Sequence, residues 1–209
     1  MKITLIGTGN MGSAFAKQLS GAGHIVRITG RDIAKAKALA DQYAHASAHV
    51  ASDALGDSDV VVLATAFDHA TAALQSLGDL PGKVVIDITN PLSADYMSLT
   101  VGHVTSASEE IAKAIPHANV VKAFNTLFAQ VLADGPKFAD NQTGSVFVAS
   151  DSERAKQTAI ALARSLGWNT VDAGGLVNAR YLEPLAGLNI YLGYGAGLGT
   201  SIAPVWLSK

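Results

Sequence analysis

Short apolar runs and amphipathic stretches alternate along almost the whole chain. Lys2–Ile6 reads as a first strand, and residues 13–20 as a helix closed by Gly21 and Gly23. Ile25–Thr29 is a second strand, and Asp32 stands where an N-cap belongs for a helix over 33–43. Residues 45–52 have no clear period and hold at most a short strand. Residues 59–65 and 83–89 are near-continuous β-branched runs, the pattern of strands buried on both faces, with a helix expected between them over 68–77. Ser106 and Glu109 form a capping box for a helix ending at Ala114, and 119–124 is the next strand. Ser145–Ala149 as a strand, 152–166 as a helix, Asn169–Asp172 as a strand and a last helix from about Val177 complete the pattern. Such alternation predicts an α/β fold: a doubly wound parallel sheet with a small C-terminal α/β part. Polar and turn residues gather between Asn125 and Asp140, which suggests a division into residues 1–125 and 126–209.

The junction of the first strand and first helix carries Gly7-x-Gly9-x-x-Gly12. A Rossmann dinucleotide-binding fold needs glycines there. The first permits the tight turn, the second lets a pyrophosphate approach the backbone, and the third lets the helix lie close to the sheet. Thr8, Asn10 and Met11 then offer backbone N–H groups at the positive end of the helix dipole. NAD-binding folds place an acid at the tip of the second strand, about 20 residues further on, to hold the ribose 2′-hydroxyl. Here the tip reads Ile28-Thr29-Gly30-Arg31, with Lys35 one helical turn beyond. A guanidinium binds a 2′-phosphate where a carboxylate repels it, so Thr29, Arg31 and Lys35 favour NADP(H).

Composition narrows the alternatives. Of 209 residues, 49% are hydrophobic and 15% charged, and the formal net charge is −2, which argues for a filled core and against a nucleic-acid surface. The absence of cysteine excludes disulfides and thiolate chemistry, and accords with a cytoplasmic location. No charged residue stands between Pro184 and Ser208, but glycines, Asn189 and Pro204 interrupt this stretch. It reads as a closely packed helix and a possible homodimer contact rather than a membrane span. His45 and His49 lie four apart with no third ligand nearby, so no metal site is assigned. Asp57 and Asp59 sit at the start of a strand, away from the crevice where ligands bind. Arg180 and Glu183 are spaced for an i,i+3 ion pair.

Beyond these signals, Gly-Thr-Gly-Asn-Met-Gly, Thr-Gly-Arg, the segments 64–70, 87–92 and 120–126, and Asp-Ala-Gly-Gly-Leu-Val-Asn-Ala-Arg at 172–180 resemble the coenzyme F420-dependent NADP oxidoreductases. They equally resemble the NADPH domain of STEAP-type metalloreductases. Thr65, Ala66 and His69 end or follow the strand over 59–65 and are candidates to border the cofactor, with a locally satisfied helix-start histidine as the alternative for His69. The resemblance implies that the nicotinamide lies near Asn90, Pro91 and Ala129. A flavin (FMN or FAD) or deazaflavin (F420-like) ring would stack in a cleft bordered by Asn125, Thr126 and Leu176. In F420-type members a histidine often stands where this chain has Asn125, and a Pro-Ala pair where it has Phe128-Ala129. The Phe-Asn-Thr form is closer to the metalloreductase version.

Hydride transfer between two rings needs no nucleophile, and none is assigned; Asn125 and His69 are the candidates for a part in the chemistry. The implied activity is NADP(H)-dependent hydride transfer to a flavin or deazaflavin acceptor. Two rivals are an NADPH-dependent reductase of a small carbonyl or imine, and a non-catalytic NADPH sensor. The first rival usually carries a long helical C-terminal part with a catalytic lysine, and no lysine stands between Gln157 and Ser208.

Overall fold

The computed structural model describes residues 1–207, the side chain of Asp140 excepted. Among the described residues eight strands form one sheet: β1 (Lys2–Ile6), β2 (Ile25–Thr29), β3 (Ala46–Ala48), β4 (Val60–Leu63), β5 (Val84–Asp87), β6 (Asn119–Ala123), β7 (Ser145–Ala149) and β8 (Asn169–Asp172). Their order is β3-β2-β1-β4-β5-β6-β7-β8. The helices are α1 (Asn10–Gly21), α2 (Ile33–Ala40), α3 (Ala51–Ala54), α4 (Ala70–Gln75), α5 (Ala107–Ala114), α6 (Ala129–Asp134), α7 (Glu153–Ser165) and α8 (Ala179–Ile190).

The buried strands explain themselves by alternation. Ile3, Leu5, Val60, Val62, Val84 and Ile86 point into the core under α1, α2 and α7, while Ile6, Val61, Leu63 and Val85 point into a second core under α4 and α5. A strand with both faces covered must be apolar at every position, which is why no period-2 signal survives in its sequence. Three of the helices begin on side-chain caps: Asp32 on α2, Ser106 on α5 and Ser152 on α7.

Three readings need adjustment. The helix expected over 33–43 stops at Ala40, because a turn (Tyr43 N–H to Ala40 carbonyl, 3.0 Å) brings the chain round to β3. The helix after β4 opens as a 3-10 turn over Phe67–His69. And the sheet is not wholly parallel: β7 runs antiparallel to β6, with Lys122 opposite Ala149. Between them α6 and the Lys137–Thr143 bridge stay at the end of the sheet where β6 finishes, so the chain re-enters there instead of crossing over. The sheet therefore continues across residue 125.

That reversal sets the direction of α8. It follows the downward strands β7 and β8 and climbs back, so that Leu182 meets Asn125 and Asn189 meets Thr126 at the carboxyl edge of β6. Beyond Ile190 it loosens into a π-turn over Tyr191–Gly195. The stretch read as closely packed is so only on one side: Ala186 and Asn189 are buried, but Leu188, Tyr191, Leu198 and Trp206 are exposed. No helix among the described residues is long and apolar enough to cross a membrane. Ser208, at the end of that stretch, lies outside the described residues.

Candidate functional site

The chain order reverses between β1 and β4, and the site grows from that switch point. Gly7 leaves β1 at φ +121°, where a Cβ would lie 2.1 Å from the carbonyl oxygen of Ala64 at the end of β4. A Cβ on Gly12 would lie 2.1 Å from the Gly7 carbonyl oxygen. Both positions are closed by backbone, so only glycine fits. At Gly9, by contrast, nothing approaches within 4 Å, and the space in front of this residue is open. Gly9 is also the N-cap of α1, which has no side-chain cap and no acid in its first turn. The first N–H groups of α1 are thus left to an anion from outside.

Along the same edge several buried polar atoms have no partner: the hydroxyls of Thr29, Thr65, Thr89 and Thr126, and Oδ1 of Asn125. Each follows or ends a strand whose carboxyl end faces the crevice. Buried polar groups are almost always satisfied, so a row of orphans beside an open glycine turn fits a polar ligand lying across β2, β1, β4, β5 and β6. Arg31 and Lys35 are exposed and have no ionic partner among the described residues. Asp32 is occupied, its Oδ1 accepting from the N–H groups of Ala34 (2.9 Å) and Lys35 (3.3 Å).

Further along the crevice lies a cavity of about 200 Å³ lined by Met11, Asn90, Asn125, Thr126 and Ala129, which sequence had singled out, together with residues it had not. The latter are chiefly Tyr96, Tyr194 and Asn189. Asn90 and Asn125 bridge reciprocally. Asn90 Nδ2 donates to the Asn125 carbonyl (2.9 Å), and Asn125 Nδ2 donates to Asn90 Oδ1 (3.0 Å) and to the Leu182 carbonyl (2.9 Å). Phe124, just before Asn125, is fully buried at φ +60°, a strained conformation for a side chain of that size. On the opposite wall Asn189 Nδ2 donates to the Thr126 carbonyl (3.1 Å). Asn189 was legible only as a polar interruption in an apolar helix.

Not every sequence candidate reaches this cavity. Thr65 is half-buried at the end of β4, Ala66 and His69 are exposed just beyond it, and Pro91 is buried behind Asn90. Leu176 does not border a cleft with Asn125 and Thr126. It is buried in the core under α4 and α5, its N–H on Asp151 Oδ1 at 2.8 Å. The pairing of Arg180 with Glu183 is also corrected. Arg180 forks onto Glu109 through Nε (2.8 Å) and Nη2 (2.6 Å), holding that carboxyl below its usual range, chiefly through the Arg180 hydrogen bond. His49 uses both ring nitrogens, on Arg27 (3.1 Å) and Ser47 (2.8 Å).

Glu183 turns inward instead, to a buried cluster the sequence reading missed. Lys122 Nζ donates to Asp87 Oδ2 (2.8 Å), Glu183 Oε1 (2.9 Å) and the Thr89 carbonyl (2.7 Å), and none of the three charged side chains is more than 1% exposed. Asp87 Oδ1 also accepts the Thr89 N–H (2.8 Å) and Oδ2 the Ser108 hydroxyl (2.6 Å). Glu183 accepts the Ala107 N–H (2.9 Å) and the Ser108 N–H (3.3 Å) at the start of α5. The cluster therefore grips Thr89, next to Asn90, and α8, which carries Asn189. It clamps both walls of the cavity from beneath.

A glycine turn at a β1/β4 switch point, an uncapped α1 and a basic tip on β2 define a Rossmann dinucleotide-binding fold. The comparisons say which branch. Residues 2–91 match the family model for NADP oxidoreductase, coenzyme F420-dependent. A solved structure from Arthrobacter sp. FB24, described as a candidate F420-dependent NADP-reductase, is 32% identical, with a TM-score of 0.87 over 96% of both chains. The hypothetical protein SMa0349 of Sinorhizobium meliloti is 30% identical at a TM-score of 0.78, over 86% of this chain and 87% of that one. Metalloreductase STEAP3 of Rattus norvegicus is 28% identical over 184 residues, which are 88% of this chain and 36% of that protein. The chain thus spans about a third of the length of the curated relatives it matches. It belongs to the coenzyme F420-dependent NADP oxidoreductase family.

Proposed function

We propose that this protein binds NADP(H) along the β2–β1–β4–β5 edge and passes hydride between the nicotinamide and a flavin or deazaflavin ring in the cavity of Asn90 and Asn125. The observation that carries the reading is that cavity itself. It lies at the far end of the crevice from Arg31 and is walled by apolar, amide and hydroxyl-bearing side chains, with no charged residue in its lining. When bound, the dinucleotide supplies the hydride. What remains for the chain is distance, orientation and exclusion of water.

Each duty has residues. Arg31, Lys35 and Thr29 hold the 2′-phosphate end, and the first turn of α1 holds the pyrophosphate. The Asn90–Asn125 bridge fixes the two strand ends against each other, so that ring amides and carbonyls meet donors of set direction. Met11, Ile88, Leu92, Leu127 and Ile190 keep water out. A ring that spreads the added electrons over its own carbonyls requires no protein acid, which accords with the neutral lining. The test is NADPH consumption at 340 nm against F420, FMN, FAD, riboflavin, a quinone and a small cyclic imine. The reading expects turnover with a flavin or deazaflavin and none with the imine. Turnover of the imine alone would replace it with the small-substrate reductase, and tight NADPH binding with no turnover would replace it with a sensor.

A further inference from the structure

The cavity of Asn90 and Asn125 is too small to be the whole acceptor site. At about 200 Å³ it lies below the roughly 300–1,000 Å³ of pockets that enclose a complete ligand. It must also receive the nicotinamide, so most of a second ring and anything attached to it has to lie beyond the lining. Among the described residues two concavities are larger. One, of about 730 Å³ between Leu99–His103 and the start of α8, shares no lining residue with the small cavity. The other, of about 440 Å³, lies between α1 and α6 and shares Phe128, Ala129 and Tyr194 with it. Consecutive residues of α1 face the two spaces: Met11 lines the small cavity, Asn10 the groove.

The partition between them is an aromatic pair. Phe128 and Tyr194 meet edge to face at 5.6 Å, and Tyr194 is 62% exposed. Gly193 is required for this approach, since a Cβ there would lie 2.6 Å from the Phe128 ring. A ligand that extends from the cavity to the groove must pass this pair, which both spaces share. Past them the groove is mixed: Asn10, Ser13, Tyr43, Gln130 and Thr200 bring polar groups to a lining that Ala14, Ala129 and Ala133 keep largely apolar. Its only charged residue is Lys17, which is exposed, two turns into α1, and has no ionic partner among the described residues.

We infer that the acceptor site continues over Phe128 and Tyr194 into this groove, and that Lys17 selects acceptors bearing an anionic group, such as a phosphate, on the tether attached to the ring. The inference rests on the proposed ring acceptor and adds which member of that class is taken. A lone cation gives an anionic group on the tail a charged partner, which a neutral tail does not engage.

FMN and riboflavin share one ring and differ by the phosphate, so the pair isolates the tail. Their dissociation constants are measured by flavin fluorescence quenching on the NADP⁺-saturated protein, for wild type, Lys17→Ala and Lys17→Glu, beside the NADPH-oxidation rates. An exposed charge contact is modest, so removal should weaken FMN about threefold and reversal about tenfold, with riboflavin unmoved by either. Wild type should bind FMN more tightly than riboflavin. Equal FMN binding by all three proteins, or an equal loss for FMN and riboflavin, overturns the role of Lys17 while leaving the ring acceptor intact. Absence of binding and turnover with both flavins and with F420 removes the ring acceptor itself, and the inference with it.

Discussion

Replacing Lys122 by Met should cost this protein about 3–5 kcal/mol of stability, the range for breaking a buried ion pair by removing one partner. The reason is what stays behind. Asp87 and Glu183 would face each other with no cation, both fully buried, and the Thr89 carbonyl would lose its donor. The N–H groups at the start of α5 offset only part of that charge. Urea unfolding of Lys122→Met reads the loss. A second variant adds Asp87→Asn and Glu183→Gln, which removes the charges and keeps the shapes, and it should recover much of the stability. A loss below about 1 kcal/mol in the single variant would mean that the cluster is not held as described. Because it grips Thr89 and α8, the single variant should also loosen the cavity of Asn90 and Asn125.

Replacing Arg31 by Asp should weaken NADPH by about 2 kcal/mol or more, roughly 30-fold, while leaving NADH nearly unchanged. The substitution removes a charge-assisted contact and sets a carboxylate against the 2′-phosphate. Arg31 is exposed and has no ionic partner among the described residues, so no other interaction of the fold is lost with it. Asp32 is engaged through Oδ1 as the cap of α2. An NADPH dissociation constant that stays the same in the variant would sink the assignment of the 2′-phosphate to this tip.

What sequence revealed and what it hid divide along physical lines. The glycine turn is local: three residues fix a backbone path, and Gly7 and Gly12 prove sterically closed as their spacing implied. The caps at Asp32 and Ser106 are local as well. The antiparallel entry of β7 was not legible, because a buried strand has the same apolar pattern whichever way it runs. That one reversal decides where α8 goes, and so hid Asn189 and Tyr194 from the site and sent Glu183 inward. Lys122 and Asp87 did leave a trace. Each is a charge inside an otherwise apolar strand, and such charges imply a partner. They prove to be register neighbours on β5 and β6, which no spacing along the chain discloses.

Everything proposed for the cavity depends on NADP(H) lying in the crevice with its 2′-phosphate at Arg31. Calorimetric titration of the unmodified protein with NADPH and with NADH tests that most directly. The account predicts NADPH binding at least about tenfold tighter than NADH, about 1.4 kcal/mol, and a preference that shrinks as salt is raised. Equal affinity for the two, or tighter NADH, would contradict it.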